Sequence, residues 1–134
     1  MTDPTGVVLA VLVTAANVHD SQPAMQLLDR VPALPSKQEK PRRRVRVLLG
    51  DRAYGTPKNR AGCRRRRVVS LLARVGKPLI RGLGAVRYVV ERTLSWFNNY
   101  RRLRLCYERN GQHLQALHDL AAAILCAKRL AAAT

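Results

Sequence analysis

Two acidic side chains stand where they could handle phosphate. Glu91 is the single carboxylate in the stretch RYVVERTLSWFNNYRRLR at 87–104, set among arginines. Asp51 follows the short run Val45–Leu49 and Gly50, just past the end of an expected strand. One carboxylate at a strand end and one on a later helix, in a basic chain, fit metal-assisted phosphate chemistry. Mg2+ takes oxygen ligands octahedrally, usually one or two of them carboxylates, and fills its other positions with water and substrate phosphate. Two such ions about 4 Å apart can activate an attacking oxygen and stabilise a leaving one. A plainer role is open to Glu91, a surface ion pair with Arg87 at i−4, worth only a few tenths of a kcal/mol. Spacing alone does not separate the two.

Both side chains need elements to carry them. At about 100° per residue, Val86, Val89, Val90, Thr93, Leu94, Phe97 and Tyr100 share one helical face, with Trp96 at its edge and Glu91 on a polar flank. Val45–Leu49 reads as a short buried strand. Upstream, Asp3-Pro4-Thr5-Gly6 signals a turn, and the Val-rich Gly6–Thr14 a strand buried on both faces. Asp20 or Ser21 is placed to cap a helix reaching Val31, which accounts for Asp20 more simply than metal ligation does. Pro32–Pro41 reads as a surface loop. Thr56 or Gly55 caps a helix with Pro57 in its first position, running through Cys63 to Arg67. One more strand is expected between Val68–Leu72 and Lys77–Ile80, then a linker at Gly82-Leu83-Gly84. After the break at Asn110-Gly111, Leu114, Leu117, Ala121, Ile124 and Leu125 predict a packing helix over about His113–Leu130. His113 and His118, five apart, suit no shared metal and read as surface residues. The order strand, helix, strand, helix, strand, helix, helix is an α/β layer architecture.

Composition narrows the partner. The 134 residues make one domain or part of one, and 47% hydrophobic content excludes a disordered chain. A net charge of +17, from 25 basic against 8 acidic residues, points to a polyanion, nucleic acid above all. The basic run Arg64–Arg67 would splay around a helix, so two or three of its members can follow one phosphate path. Cys63, Cys106 and Cys126 share no CxxC spacing and read as reduced thiols of a cytoplasmic protein. The longest apolar run, Val7–Val13, is far below the roughly 20 residues that span a bilayer.

The segments GDRAYGTPKNR (50–60), RYVVERTLSWFNNYRRLRLCYER (87–109) and LAAAILCAKRL (120–130) closely resemble the C-terminal part of DDE transposases of bacterial insertion sequences. In that group a Val-Glu-Arg-Thr helix carries the catalytic Glu, and VLVTAANVHDS (11–21) extends the likeness. The resemblance implies an incomplete ribonuclease-H-like α/β fold, a central mixed sheet flanked by helices, over residues 1–134. It implies that Asp51 matches the second catalytic Asp, Glu91 the catalytic Glu, and Arg87 the arginine one turn before it. It further implies Mg2+ (or Mn2+) as cofactor, and DNA, at transposon ends and target, as substrate. Arg52, Arg64, Arg65, Arg87, Arg101, Arg102 and Arg104 are the candidate DNA contacts. Asn98 stands where a lysine is often found. The family's first Asp and its DNA-binding helical region belong upstream of Met1, so the expected function is that of a distal part. Such a part supplies two of three carboxylates and is inactive without an upstream portion. The alternative is a remnant or basic accessory protein that only binds nucleic acid.

Overall fold

The structure, a computed structural model, describes residues 1–33, 45–73, 76 and 83–133. Most of the Pro32–Pro41 loop, all of Lys77–Ile80, and Gly82 fall outside these residues. The described chain is a mixed helix and strand arrangement in two halves.

The first half is α1 (Ala24–Asp29), β1 (Val47–Gly50), a one-turn 3-10 helix (Arg52–Tyr54), α2 (Pro57–Arg65) and β2 (Val69–Leu72). β1 and β2 pair in parallel, Val47 opposite Val69 and Leu49 opposite Leu71, with α2 in the crossover. The expected central mixed sheet is therefore a parallel pair among the described residues. Leu48 packs on the core of Leu28, Cys63 and Val68, alongside Met1, Met25 and Val45, and Leu72 is buried on the same side. Alternation sends Val47, Val69 and Leu71 to the other face, where they are 51%, 58% and 42% exposed. Val45–Leu49 was expected to be buried, yet the described residues cover one face only.

α2 begins and ends as its residues dictate. The Thr56 hydroxyl accepts a hydrogen bond from the Asn59 N–H (3.2 Å) and Pro57 occupies the first turn. At the other end the Val68 N–H reaches the Cys63 carbonyl and the Arg67 N–H that of Arg64, both at 2.9 Å. This is the paired bonding of a Schellman stop, with Val68 packed on Cys63. It forces Arg67 to φ 55°, a left-handed conformation that suits glycine. Arg67→Gly should raise stability by about 1 kcal/mol. An increase in the urea midpoint with unchanged slope would show this; a decrease would mean that the Arg67 side chain contributes more than its backbone costs.

The second half is α3 (Leu83–Phe97), α4 (Arg101–Leu105) and α5 (Gly111–Ala133). Leu83 and Gly84, expected in a linker, already belong to α3. The stretch 87–104 is not one helix. The N–H groups of Asn98, Asn99 and Tyr100 bond to carbonyls three residues back, Tyr100 turns extended, and α4 restarts beyond it. Paired asparagines, which compete for their own backbone, explain the break. α5 gains its extra N-terminal turn where the Asn110 side chain accepts from the Gln112 N–H (2.8 Å), and its alanines extend the far end. His118 is no surface residue: it is half-buried, stacked on Phe97 at 5.8 Å. No described helix is long and apolar enough to cross a membrane.

Two further expectations are corrected. Gly6–Thr14 forms no strand and is only partly buried, and its ladder shrinks to one antiparallel bridge, Thr2 with Val8. Its backbone is satisfied elsewhere, by Met1 and by the Gln115 side chain, which accepts from the Val13 N–H (2.8 Å) and donates to the Val11 carbonyl (3.3 Å). α1 starts three residues beyond Ser21 and ends before Val31, with Pro23 at its N-cap and no side-chain cap. Ser21 instead bonds the His19 ring (2.8 Å).

Candidate active site

Asp51 sits at the carboxyl end of β1, the end at which open α/β sheets place their ligands. Its side chain accepts from the Ala53 N–H (3.0 Å) and so starts the one-turn helix after it. The rest of GDRAYGTPKNR locks that turn in place. Asn59, 1% exposed, donates its amide to the carbonyls of Ser21 (3.0 Å) and Tyr54 (3.1 Å). Arg60 reaches back to the carbonyls of Leu72 and Ala73, tying α2 to the end of β2. Gly55 lies so close to β2 that a Cβ there would be 1.9 Å from the Ala73 carbonyl oxygen. Sequence reasoning gave a role to Asp51 and the cap but missed Asn59 and Arg60. An Asn and an Arg inside a helix so well begun were the available signal. Tyr54 also reports the local field: burial first, then the charges of Asp20 and Asp51, push its hydroxyl pKa up. Asp20 thus acts on Tyr54 through its charge and does not cap α1.

Glu91 is held by the opposite face of α3. Thr93, 1% exposed, lies with its hydroxyl 3.2 Å from the Gly6 carbonyl and 2.9 Å from that of Val89. Gly6, at φ 92°, leaves only 3.0 Å between Thr93 Oγ1 and any added Cβ, so helix and turn touch closely. Phe97 is buried against His118. Thr93 and Phe97 thus anchor the expected stripe, but Leu94 is 60% exposed and falls outside it. With that face inward, Glu91 points to solvent and pairs with Arg87 at 3.5 Å. Both ends of this pair are more than half exposed, so it adds little stability.

The N-terminal segment stitches the halves together. Met1 packs into the core of the sheet half. Thr5 accepts from Arg92 (3.4 Å) and Arg129 (2.8 Å), and Cys126 contacts the Val8 carbonyl. Asp3 turns the segment by accepting from the Thr5 N–H and hydroxyl and the Val7 N–H. Partial burial opposes its ionisation, but these bonds outweigh that and hold its carboxyl below the usual range. Asp3 is thus committed to a turn and is no spare metal ligand. An Arg30–Asp119 pair at 3.7 Å adds a second link between the halves.

Asp51 and Glu91 therefore belong to different halves. Among the described residues no three His, Cys, Asp or Glu side chains gather to hold a metal ion. The described residues alone do not fit a metal centre. All seven candidate DNA contacts are exposed, and among them Arg52, Arg64, Arg65, Arg101 and Arg104 make no salt bridge with a described carboxylate. Arg87 is engaged with Glu91 and Arg102 with Glu108. Arg66, within the basic run, grips Asp29 through two bonds, whose pull is the chief reason the Asp29 carboxyl pKa is lowered.

The transposase DDE domain family matches residues 1–126. The chain belongs to this family. This DDE domain is also 34% identical, over 126 residues, to a protein of Burkholderia cepacia named as a transposase for insertion sequence element IS402. The match covers 94% of the chain and 60% of that relative, so the chain spans about three-fifths of the relative's length. No solved structure matches it.

Proposed function

We propose that this chain is the distal part of the catalytic domain of an insertion-sequence transposase, built on a ribonuclease-H-like fold and acting on DNA inside the cell. In this reading Asp51 and Glu91 are two of three carboxylates that hold Mg2+ or Mn2+, and an upstream portion brings the third. The bound ions would supply charge stabilisation for cutting DNA at transposon ends and joining a 3′ hydroxyl to target. The observation that carries the reading is the position of Asp51. It sits at the open end of β1, on a turn that Asn59, Arg60 and Gly55 pin from three sides. Exposed arginines on α2, α4 and the turn beside Asp51 offer phosphate contacts to either strand.

The 134-residue chain with Mg2+ and transposon-end DNA should show no strand joining, and yet it should bind DNA. With about five phosphate contacts, affinity should fall on the order of several hundred-fold between 50 and 200 mM salt. Robust joining by this chain would refute its incompleteness. A flat salt profile would remove the DNA reading. The Arg87–Glu91 pair supports one other reading, a nucleic-acid-binding remnant in which Glu91 only balances charge.

A further inference from the structure

Four side chains on α3 and α5 form a ladder that the catalytic reading leaves unused. The Arg92 guanidinium lies 5.7 Å from the centroid of the Tyr88 ring, one turn before it, and 5.4 Å from that of Trp96, one turn after it. Arg129 stands 5.5 Å from the Trp96 ring and bonds the Thr5 carbonyl. Arg92 Nε is buried with no partner, and its terminal nitrogen also goes to Thr5. A guanidinium seated in this way is already committed and does not swing out to a phosphate. What it does is fix the ring at the end of the ladder. Tyr88 is that ring, and it is 62% exposed.

Single exposed aromatics are common and most need no explanation. Tyr88 differs in three respects. Its ring has a cation on one side, its neighbour Arg87 is an exposed arginine paired with Glu91, and that carboxylate lies one helical turn away on the same surface. An ordered aromatic plane beside positive charge is what single-stranded nucleic acid binds, because every base has a face to stack and every nucleotide a phosphate to neutralise.

We propose that Tyr88 is a stacking platform for an unpaired base, fixed by the Arg92–Trp96–Arg129 ladder and placing a single-stranded DNA end beside Glu91. This rests on the DNA reading above. The complement is one of charge: the chain carries +17, and the ring borders arginine rather than an apolar patch.

The test uses this chain and a single-stranded oligonucleotide carrying 2-aminopurine, with affinity read by anisotropy and stacking by fluorescence quenching. Tyr88→Ala should weaken single-strand binding roughly tenfold and abolish the quenching, since one stacked base is worth about 1–3 kcal/mol. Tyr88→Phe should keep both, because the ring and not the hydroxyl does the stacking. Blunt duplex DNA, which offers no unpaired base, should bind the wild type and Tyr88→Ala alike. Equal quenching and affinity in wild type and Tyr88→Ala would overturn the platform while leaving DNA binding intact. An equal loss on duplex would also overturn it, showing a general surface contact. A wild-type chain that binds neither form of DNA would overturn the underlying reading as well.

Discussion

Asp51→Asn and Glu91→Gln, each made in a transposase that also carries the upstream portion, should cut strand joining by on the order of a thousandfold or more while leaving DNA affinity unchanged. The size follows from charge. Under the proposed role, each substitution would keep the shape of the side chain but remove an anionic ligand from a cation that would supply several kcal/mol to the transition state. At about 1.4 kcal/mol per decade, losing most of that stabilisation spans three decades. The surface-pair role for Glu91 makes the opposite forecast. The Arg87–Glu91 contact is 3.5 Å long and both partners are more than half exposed. Removing it alone would change stability by a few tenths of a kcal/mol and joining not at all. Single-turnover joining at saturating Mg2+ separates the two. Retained joining in either variant would mean that the carboxylate is misassigned.

Gly55→Ala should be the most damaging small change in the sheet half, costing about 3 kcal/mol or more. The reason is contact and not backbone conformation, since Gly55 has φ −72°, open to any residue. An added Cβ would lie 1.9 Å from the Ala73 carbonyl oxygen. Main chain does not rotate away as a side chain does, so β2 and the start of α2 would have to part. Arg60 would lose its hold on Leu72 and Ala73 as they did. Gly62 provides the control. A Cβ there meets Met25 Sδ at 2.4 Å and Cγ at 2.7 Å, but these belong to a flexible side chain that can turn aside, and alanine favours the helix by about 1 kcal/mol. Gly62→Ala should be close to neutral. Chemical denaturation of both variants decides the matter: similar midpoints would show that the Gly55 contact is relieved without cost.

Local rules explain where the sequence was readable. Thr56, Pro57 and the spacing up to Arg67 specify α2 through capping and periodicity, and the structure follows within two residues. The Thr93 and Phe97 face of α3 and the leucine pattern of α5 likewise depend on turns a few residues apart. What went unread depends on distant partners. Gly6–Thr14 has the composition of a buried strand, but pairing needs a neighbour, and its bonds run to Met1 and Gln115, the latter a hundred residues on. Leu94 sits in the apolar stripe by arithmetic alone and faces water because nothing among the described residues covers it. At the site, Asp51 was visible from its place after a strand. Asn59 and Arg60 were not, because such a clamp has no spacing signature and shows only when four backbone carbonyls converge on it. Glu91 is singled out by the family resemblance alone, because its neighbours in sequence serve an ion pair as readily as a catalyst.

The side of the two-stranded sheet that the described residues leave uncovered has a consequence for how the molecule behaves in solution. Val47, Val69 and Leu71 present a greasy plane to water, and burying such side chains releases on the order of 1 kcal/mol or more apiece. Any matching surface gains from seating there, so the molecule's lifetime and solubility depend on the company it keeps. At high concentration the isolated chain is expected to self-associate through this plane, and a polypeptide that shields it would keep the copies apart.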